Sequence, residues 1–158
     1  MAGHQHQARI HWARGAAAFT DNRYSRAHTW TFDGGVSVPA SSSPHVVRVP
    51  MSVEAAVDPE EALVAALASC HMLWFLSLAA GRGFCVEDYS DAASGVMGHN
   101  PAGRVAMVRV TLHPRALFSG ATQPAREDIA QLHAQAHEEC FIANSVTTEV
   151  RCEPLFDA

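Results

Sequence analysis

The feature that most constrains this chain is the run from residue 62 to residue 80. There Ala, Leu, Val, Met, Trp and Phe are interrupted only by Ser69, Cys70, His71 and Ser77. Asp58-Pro59-Glu60-Glu61 stands directly before it. Asp can cap a helix, Pro suits the first helical position, and Glu in the first turn complements both the cap and the positive end of the helix dipole. The pattern predicts a helix from 59 to about 80, ended by Gly81 and Gly83. It is nearly long enough to cross a bilayer, but the polar and thiol residues within it and the two Glu at its head favour a buried helix of a water-soluble domain. A helix apolar on nearly every face past its first turn has to be central to its fold.

A chain of 158 residues fits one domain, residues 1–158, and no repeat or long linker divides it. Arg9-Ile10-His11-Trp12 and His28-Thr29-Trp30-Thr31-Phe32 alternate apolar with polar, so the first third is expected to be sheet, with Asp33-Gly34-Gly35 as a turn and residues 39–44 as a surface loop. Residues 85–97 and 104–114 read as two paired strands joined by a hairpin loop at 98–103. Residues 124 to about 139 carry Ile129, Leu132 and Ala136 at helical spacing, which predicts a second helix, and 145–152 reads as a closing strand. Strands and helices do not alternate as βαβ units require, so the expected class is α+β.

Charge and composition exclude several functions. The net charge of −5 and the absence of a basic cluster argue against nucleic acid as a partner. All eleven cations are Arg. Without lysine, Schiff-base chemistry and a Walker-type phosphate site are ruled out. The chain before Trp12 is polar and has no secretory-signal core, so a cytoplasmic location with no membrane partner is expected. In that compartment four cysteines read as thiols rather than a disulfide framework.

Cys70 lies mid-way along the first helix and Cys140 at the end of the second. Either one alone reads as a small buried hydrophobe, but two thiols on two helices of a small domain can meet and form a redox couple. Cys85 and Cys152, at strand positions, read as inert core. His133, His137 and Cys140, at i, i+4 and i+7, could face one zinc ion, yet the spacing lacks the sharpness of a known zinc motif and no metal site is assigned. Cys70, His71 and Asn144 could be cast as a cysteine-hydrolase triad, but neighbouring helical side chains point about 100° apart, which makes His71 a poor base for Cys70.

Asp58-Pro59-Glu60-Glu61 with Ala65-Ala66-Leu67-Ala68-Ser69-Cys70-His71-Met72, and later His137-Glu138-Glu139-Cys140-Phe141-Ile142-Ala143-Asn144-Ser145, resemble the two cysteine motifs of the OsmC/Ohr family. These are small thiol-dependent peroxidases named for osmotic induction and organic hydroperoxide resistance. The resemblance covers residues 12–150 and is nearer an OsmC-like subgroup than the Ohr enzymes, since Tyr24-Ser25-Arg26-Ala27-His28 and Ser69-Cys70-His71-Met72 depart from the Ohr pattern. It implies antiparallel sheets around a long central helix carrying Cys70, a second helix ending near Cys140, and an intertwined homodimer. It also implies reduction of organic hydroperoxides, with Cys70 attacking, Cys140 resolving, and Glu60 helping to hold a catalytic arginine. Arg26 is the first choice for that arginine, with Arg14 and Arg23 behind it. The resemblance further implies no bound cofactor, and a dihydrolipoyl group, on a lipoylated protein or a small dithiol, as reductant.

Glu60 and Cys70 lie ten residues apart, about 15 Å along one helix, so they cannot share a site within it. If both are catalytic, Glu60 must serve the partner's Cys70 in a dimer. Met72, Leu73, Trp74, Phe75 and Phe141 could form an apolar wall favouring alkyl or lipid hydroperoxides. Two other readings stay open: a non-catalytic redox sensor or binder of a small apolar ligand, and a zinc protein.

Overall fold

The computed structural model describes residues 3–156. The described residues form two compact units that meet in sequence between residues 62 and 63.

In the first unit, β1 (Ala8–His11), β2 (His28–Phe32) and β3 (Ser37–Ala40) form an antiparallel sheet in that order. The expected sheet is therefore present, and Gly35, at φ +87°, turns the chain between β2 and β3. The stretch expected as a surface loop at 39–44 is not one. Ala40, Ser41 and Ser43 are buried. They can be, because their polar groups are satisfied: the Val53 N–H donates to Ser41 Oγ, the Ser41 N–H to the Val57 carbonyl, and the His45 N–H to Ser43 Oγ.

Helix α1 (Pro59–Gly81) begins with a reciprocal capping box. The Glu61 N–H donates to Asp58 Oδ1 and the Asp58 N–H to Glu61 Oε1, both at 2.8 Å. At its far end Gly83, at φ +80°, donates to the Ala80 carbonyl, and Phe84 donates to that of Ala79. This is a Schellman stop, which requires the left-handed residue that glycine supplies. Length and composition would let α1 cross a membrane. Instead Leu67, Phe75 and Ala79 are buried in protein cores, and with His71 they form one stripe at steps of four. The helix is thus buried along one line rather than all round, and Leu73 is 60% exposed.

In the second unit the expected single strand at 85–97 is two: β4 (Cys85–Asp91) and β5 (Ser94–His99). The partner strand expected at 104–114 is β6 (Val105–Leu112), and a further strand not expected from the sequence, β7 (Pro114–Ser119), follows it. The break is set at His113, whose N–H donates to Asp91 Oδ1 at 2.8 Å, and at Pro114, which has no N–H to continue the ladder. Consequently β4 pairs with β7 and β5 with β6, both antiparallel, the second through the expected hairpin loop. Helix α2 (Arg126–Glu139) starts two residues later than expected, with the Ala125 N–H donating to Asp128 Oδ2 at 2.8 Å. The closing strand β8 (Glu149–Cys152) runs parallel to β6, because α2 and the turn after it carry the chain back to the same end of the sheet. Phe75, Ala79, Leu132 and Ala136 form one core, and Leu67, Val110 and Leu112 another. Among the described residues these are the two α-helices of an α+β fold with mainly antiparallel sheets.

Candidate functional site

Cys70 lies on a face of α1 beside the buried stripe, about 120° round the helix from its middle. Leu73, Trp74 and Ser77 follow it at i+3, i+4 and i+7, so all four project to one side. With Phe141 they line a cavity of about 310 Å³. The Phe141 ring stands edge-on to Trp74, with centroids 5.5 Å apart. Of the apolar wall expected from sequence, Leu73, Trp74 and Phe141 are therefore in place. Phe75 belongs instead to the core, stacked on His133 at 4.3 Å, and Met72 does not reach the cavity.

Cys140 occupies the C-cap of α2 and is 2% exposed. A tight turn beyond the helix fixes it. The Ala143 N–H donates to its sulfur at 3.4 Å, the Asn144 N–H to its carbonyl at 3.0 Å, and the Asn144 side chain to the Glu138 carbonyl. Its thiol lies within hydrogen-bonding reach of Cys70. Burial pushes the Cys140 thiol up, the Ala143 N–H opposes this, and Cys70 raises it further. Cys140 therefore holds its proton at neutral pH and can donate it toward the Cys70 sulfur. All four cysteines are free thiols. The two placed on helices by sequence do come together.

In the first unit, Trp12, Phe19 and Tyr24 cluster with centroids 4.6–5.7 Å apart and line a hollow of about 440 Å³ with Arg26, His28 and Glu60. Arg26 stacks on the Tyr24 ring at 3.8 Å. Its guanidinium donates to the carbonyls of Asn22 and Tyr24 and, at 2.7 Å, to Asn22 Oδ1. Of the three arginines considered, Arg26 lines the hollow, whereas Arg14 reaches the Ala17 carbonyl and Arg23 is exposed. No ion pair joins Arg26 to Glu60 among the described residues, because the arginine fork is occupied by Asn22 and Tyr24. Glu60 Oε2 is buried without a hydrogen-bond partner.

The other constellations read from sequence are not assembled. His71 Nε2 meets His133 Nδ1 at 3.0 Å and Cys152 Sγ at 3.6 Å, turned away from the role of base to Cys70. The zinc triad of His133, His137 and Cys140 is split, His133 going to His71 and Cys140 to Cys70. Cys85, expected in the core, is exposed on β4 with its thiol toward Glu87. Cys152 is half-buried beside His71, a neighbour 81 positions away that no local spacing announces.

A family model described as OsmC-like protein matches residues 52–154, more than half of the chain. No curated protein sequence matches significantly. Among solved structures, an OsmC-like protein of unknown function from Vibrio cholerae is 55% identical, with a TM-score of 0.95 over 97% of this chain and 100% of that one. An organic hydroperoxide resistance protein from Legionella pneumophila is 18% identical, with a TM-score of 0.72 over 99% of this chain and 100% of that one. The organic hydroperoxide resistance protein OhrB of Bacillus subtilis is 17% identical, with a TM-score of 0.69 over 96% of this chain and 98% of that one. The last two likenesses are of fold. The motifs around Cys70 and Cys140, the match over residues 52–154 and the Vibrio relative agree that this chain belongs to the OsmC-like family.

Proposed function

We propose that the protein is a cysteine-based peroxidase that reduces organic hydroperoxides to alcohols. The observation that carries this reading is the Cys70 and Cys140 pair, two free thiols within hydrogen-bonding reach of each other, with Cys70 lining an apolar cavity. The Cys70 thiolate attacks one peroxide oxygen. The O–O bond breaks, an S–O bond forms, and the departing alkoxide takes up a proton to leave as an alcohol, so that Cys70 becomes a sulfenic acid. Cys140 sulfur then attacks the sulfenic sulfur, the S–S bond forms, and water leaves with the Cys140 proton. A dithiol of the dihydrolipoyl class returns two electrons by thiol–disulfide exchange. The apolar lining by Leu73, Trp74 and Phe141 favours an alkyl substituent on the peroxide.

Arg26 and Glu60 belong to the same reading as the groups that attract and orient the peroxide. Arginine stays charged and its fork suits paired oxygen acceptors. Glu60 stands ten residues from Cys70 along α1, about 15 Å, so it would serve the partner's Cys70 in a homodimer together with Arg26, and the exposed Leu73 on α1 supports such an interface. A cytoplasmic home, where thiols are kept reduced, completes the proposal.

The test is peptide mapping by mass spectrometry after reduction and one equivalent of an alkyl hydroperoxide, with Cys70→Ser and Cys140→Ser in parallel. A Cys70–Cys140 disulfide is expected in the wild type. Cys140→Ser should stop at a Cys70 sulfenic acid, Cys70→Ser should not react, and repeated turnover with dihydrolipoamide separates an enzyme from a sensor. Two thiols that stay reduced under this challenge would overturn the reading.

A further inference from the structure

We propose that His71, His133 and Cys152 form a binding site for a divalent metal ion of the zinc class, separate from the Cys70–Cys140 couple. The three come from α1, α2 and β8, and their ligand atoms all lie within 4.8 Å of one another. His71 Nε2 is 3.0 Å from His133 Nδ1 and 3.6 Å from Cys152 Sγ. A tetrahedral ion with bonds of about 2.05 Å to nitrogen and about 2.3 Å to sulfur requires edges of about 3.3 Å between nitrogens and about 3.6 Å between nitrogen and sulfur. The observed spacings are close to those edges.

Burial and chemistry agree with the geometry. The histidines are 1% and 4% exposed, and Phe75 stacks on His133. Desolvation, with His137 nearby, lowers His71 to about 4, and desolvation with His71 lowers His133 to about 3, so both rings are neutral and carry a lone pair. Without an ion the two imidazoles lie nearly coplanar, 9° apart, with one proton between the facing nitrogens. An ion replaces that proton, and each ring tilts so that the lone pairs converge. The displaced proton moves to the remote nitrogen of the ring that held it, so each imidazole still carries one proton, and a single proton, that of Cys152, leaves to solvent. Asp91 supplies the charge complement. Burial, with Asp91 and Glu153 nearby, pushes the Cys152 thiol up to about 12, so the thiol keeps its proton until an ion displaces it, and Asp91 Oδ2 is buried without a partner. A cavity of about 300 Å³, lined by His133, His137 and Cys152, gives the ion a way in and leaves its fourth position open.

The test uses the full-length protein, reduced and freed of metal with a chelator, then titrated with cobalt(II) and zinc(II). One equivalent of cobalt should give the visible bands of a tetrahedral ion and a thiolate charge-transfer band, and zinc should displace it. The Cys70→Ser/Cys140→Ser double variant should keep this spectrum, and Cys152→Ser should lose the charge-transfer band and weaken binding more than about tenfold. No stoichiometric binding by the folded wild type would overturn the proposal. So would a thiolate band that survives Cys152→Ser but disappears in the double variant. If Cys152→Ser does not fold, zinc must slow alkylation of Cys152 in the wild type, mapped by mass spectrometry, and an unchanged rate counts against the site. Because neither thiol of the redox couple is a ligand, this result and that of the peroxide challenge are independent.

Discussion

Replacing Gly95 by alanine tests how closely α1 is seated on the sheet of the second unit. Gly95 lies on β5 opposite Val110. A Cβ there would stand 2.5 Å from Met107 Sδ, 2.8 Å from Val64 Cγ2 and 2.9 Å from Met107 Cε, against an ordinary carbon contact of about 3.5–4.0 Å. The Met107 end is flexible and can retreat. Val64 cannot do so easily, because a β-branched side chain in a helix has one strongly preferred rotamer, so the helix itself must move. Overpacking of this kind costs about 1–3 kcal/mol, while removing a glycine from a strand returns about 0.5–1 kcal/mol, leaving a net loss near 1–2 kcal/mol. With a urea slope of about 1–3 kcal/mol/M, the unfolding midpoint should fall by roughly 0.5–1 M at unchanged slope. Wild type and variant must be compared at one protein concentration, since association would shift both. Val64→Ala combined with Gly95→Ala should cost less than the two changes added separately. A Gly95→Ala protein as stable as the wild type, with the same slope, would refute the close seating of α1.

Two further expectations concern the same unit. Phe75→Ala empties a fully buried site against His133, Tyr89 and Phe118 and should cost about 3–5 kcal/mol, lowering the thermal midpoint by on the order of 10 °C in a circular-dichroism melt. A loss below about 1 kcal/mol would mean that the core closes over the gap. For pH, the Cys140 thiol is held above its ordinary value by burial and by Cys70, so the folded chain binds that proton more tightly than the unfolded one. Its contribution to stability is complete below about pH 8.5 and is lost as pH rises toward the folded value. Urea midpoints of the reduced protein should therefore decline on the alkaline side and decline less in Cys140→Ser; equal declines would place the effect elsewhere.

What the sequence determined by itself is what its residues enforce over a few positions. Asp58 and Glu61 close a capping box across one turn, Gly83 stops the same helix because a left-handed residue is needed there, and both helices stand close to where the pattern put them. The meeting of Cys70 and Cys140 was legible too, because both lie in motifs specific enough to be read without coordinates. Tertiary structure decided the rest. An all-apolar helix has no amphipathic period, so the choice of Leu67, His71, Phe75 and Ala79 as its buried stripe, which sent Phe75 to the core and left Leu73 at the cavity, was made by what packs against it. The division of residues 85–97 into two strands came from the bond of the His113 N–H to Asp91, 22 positions away. His133 was spaced to share an ion with His137 and Cys140, yet it meets His71 and Cys152 instead. Spacing along a helix fixes only which side chains share a face; which distant side chains that face meets depends on burial summed over the whole unit, and no local interval encodes it.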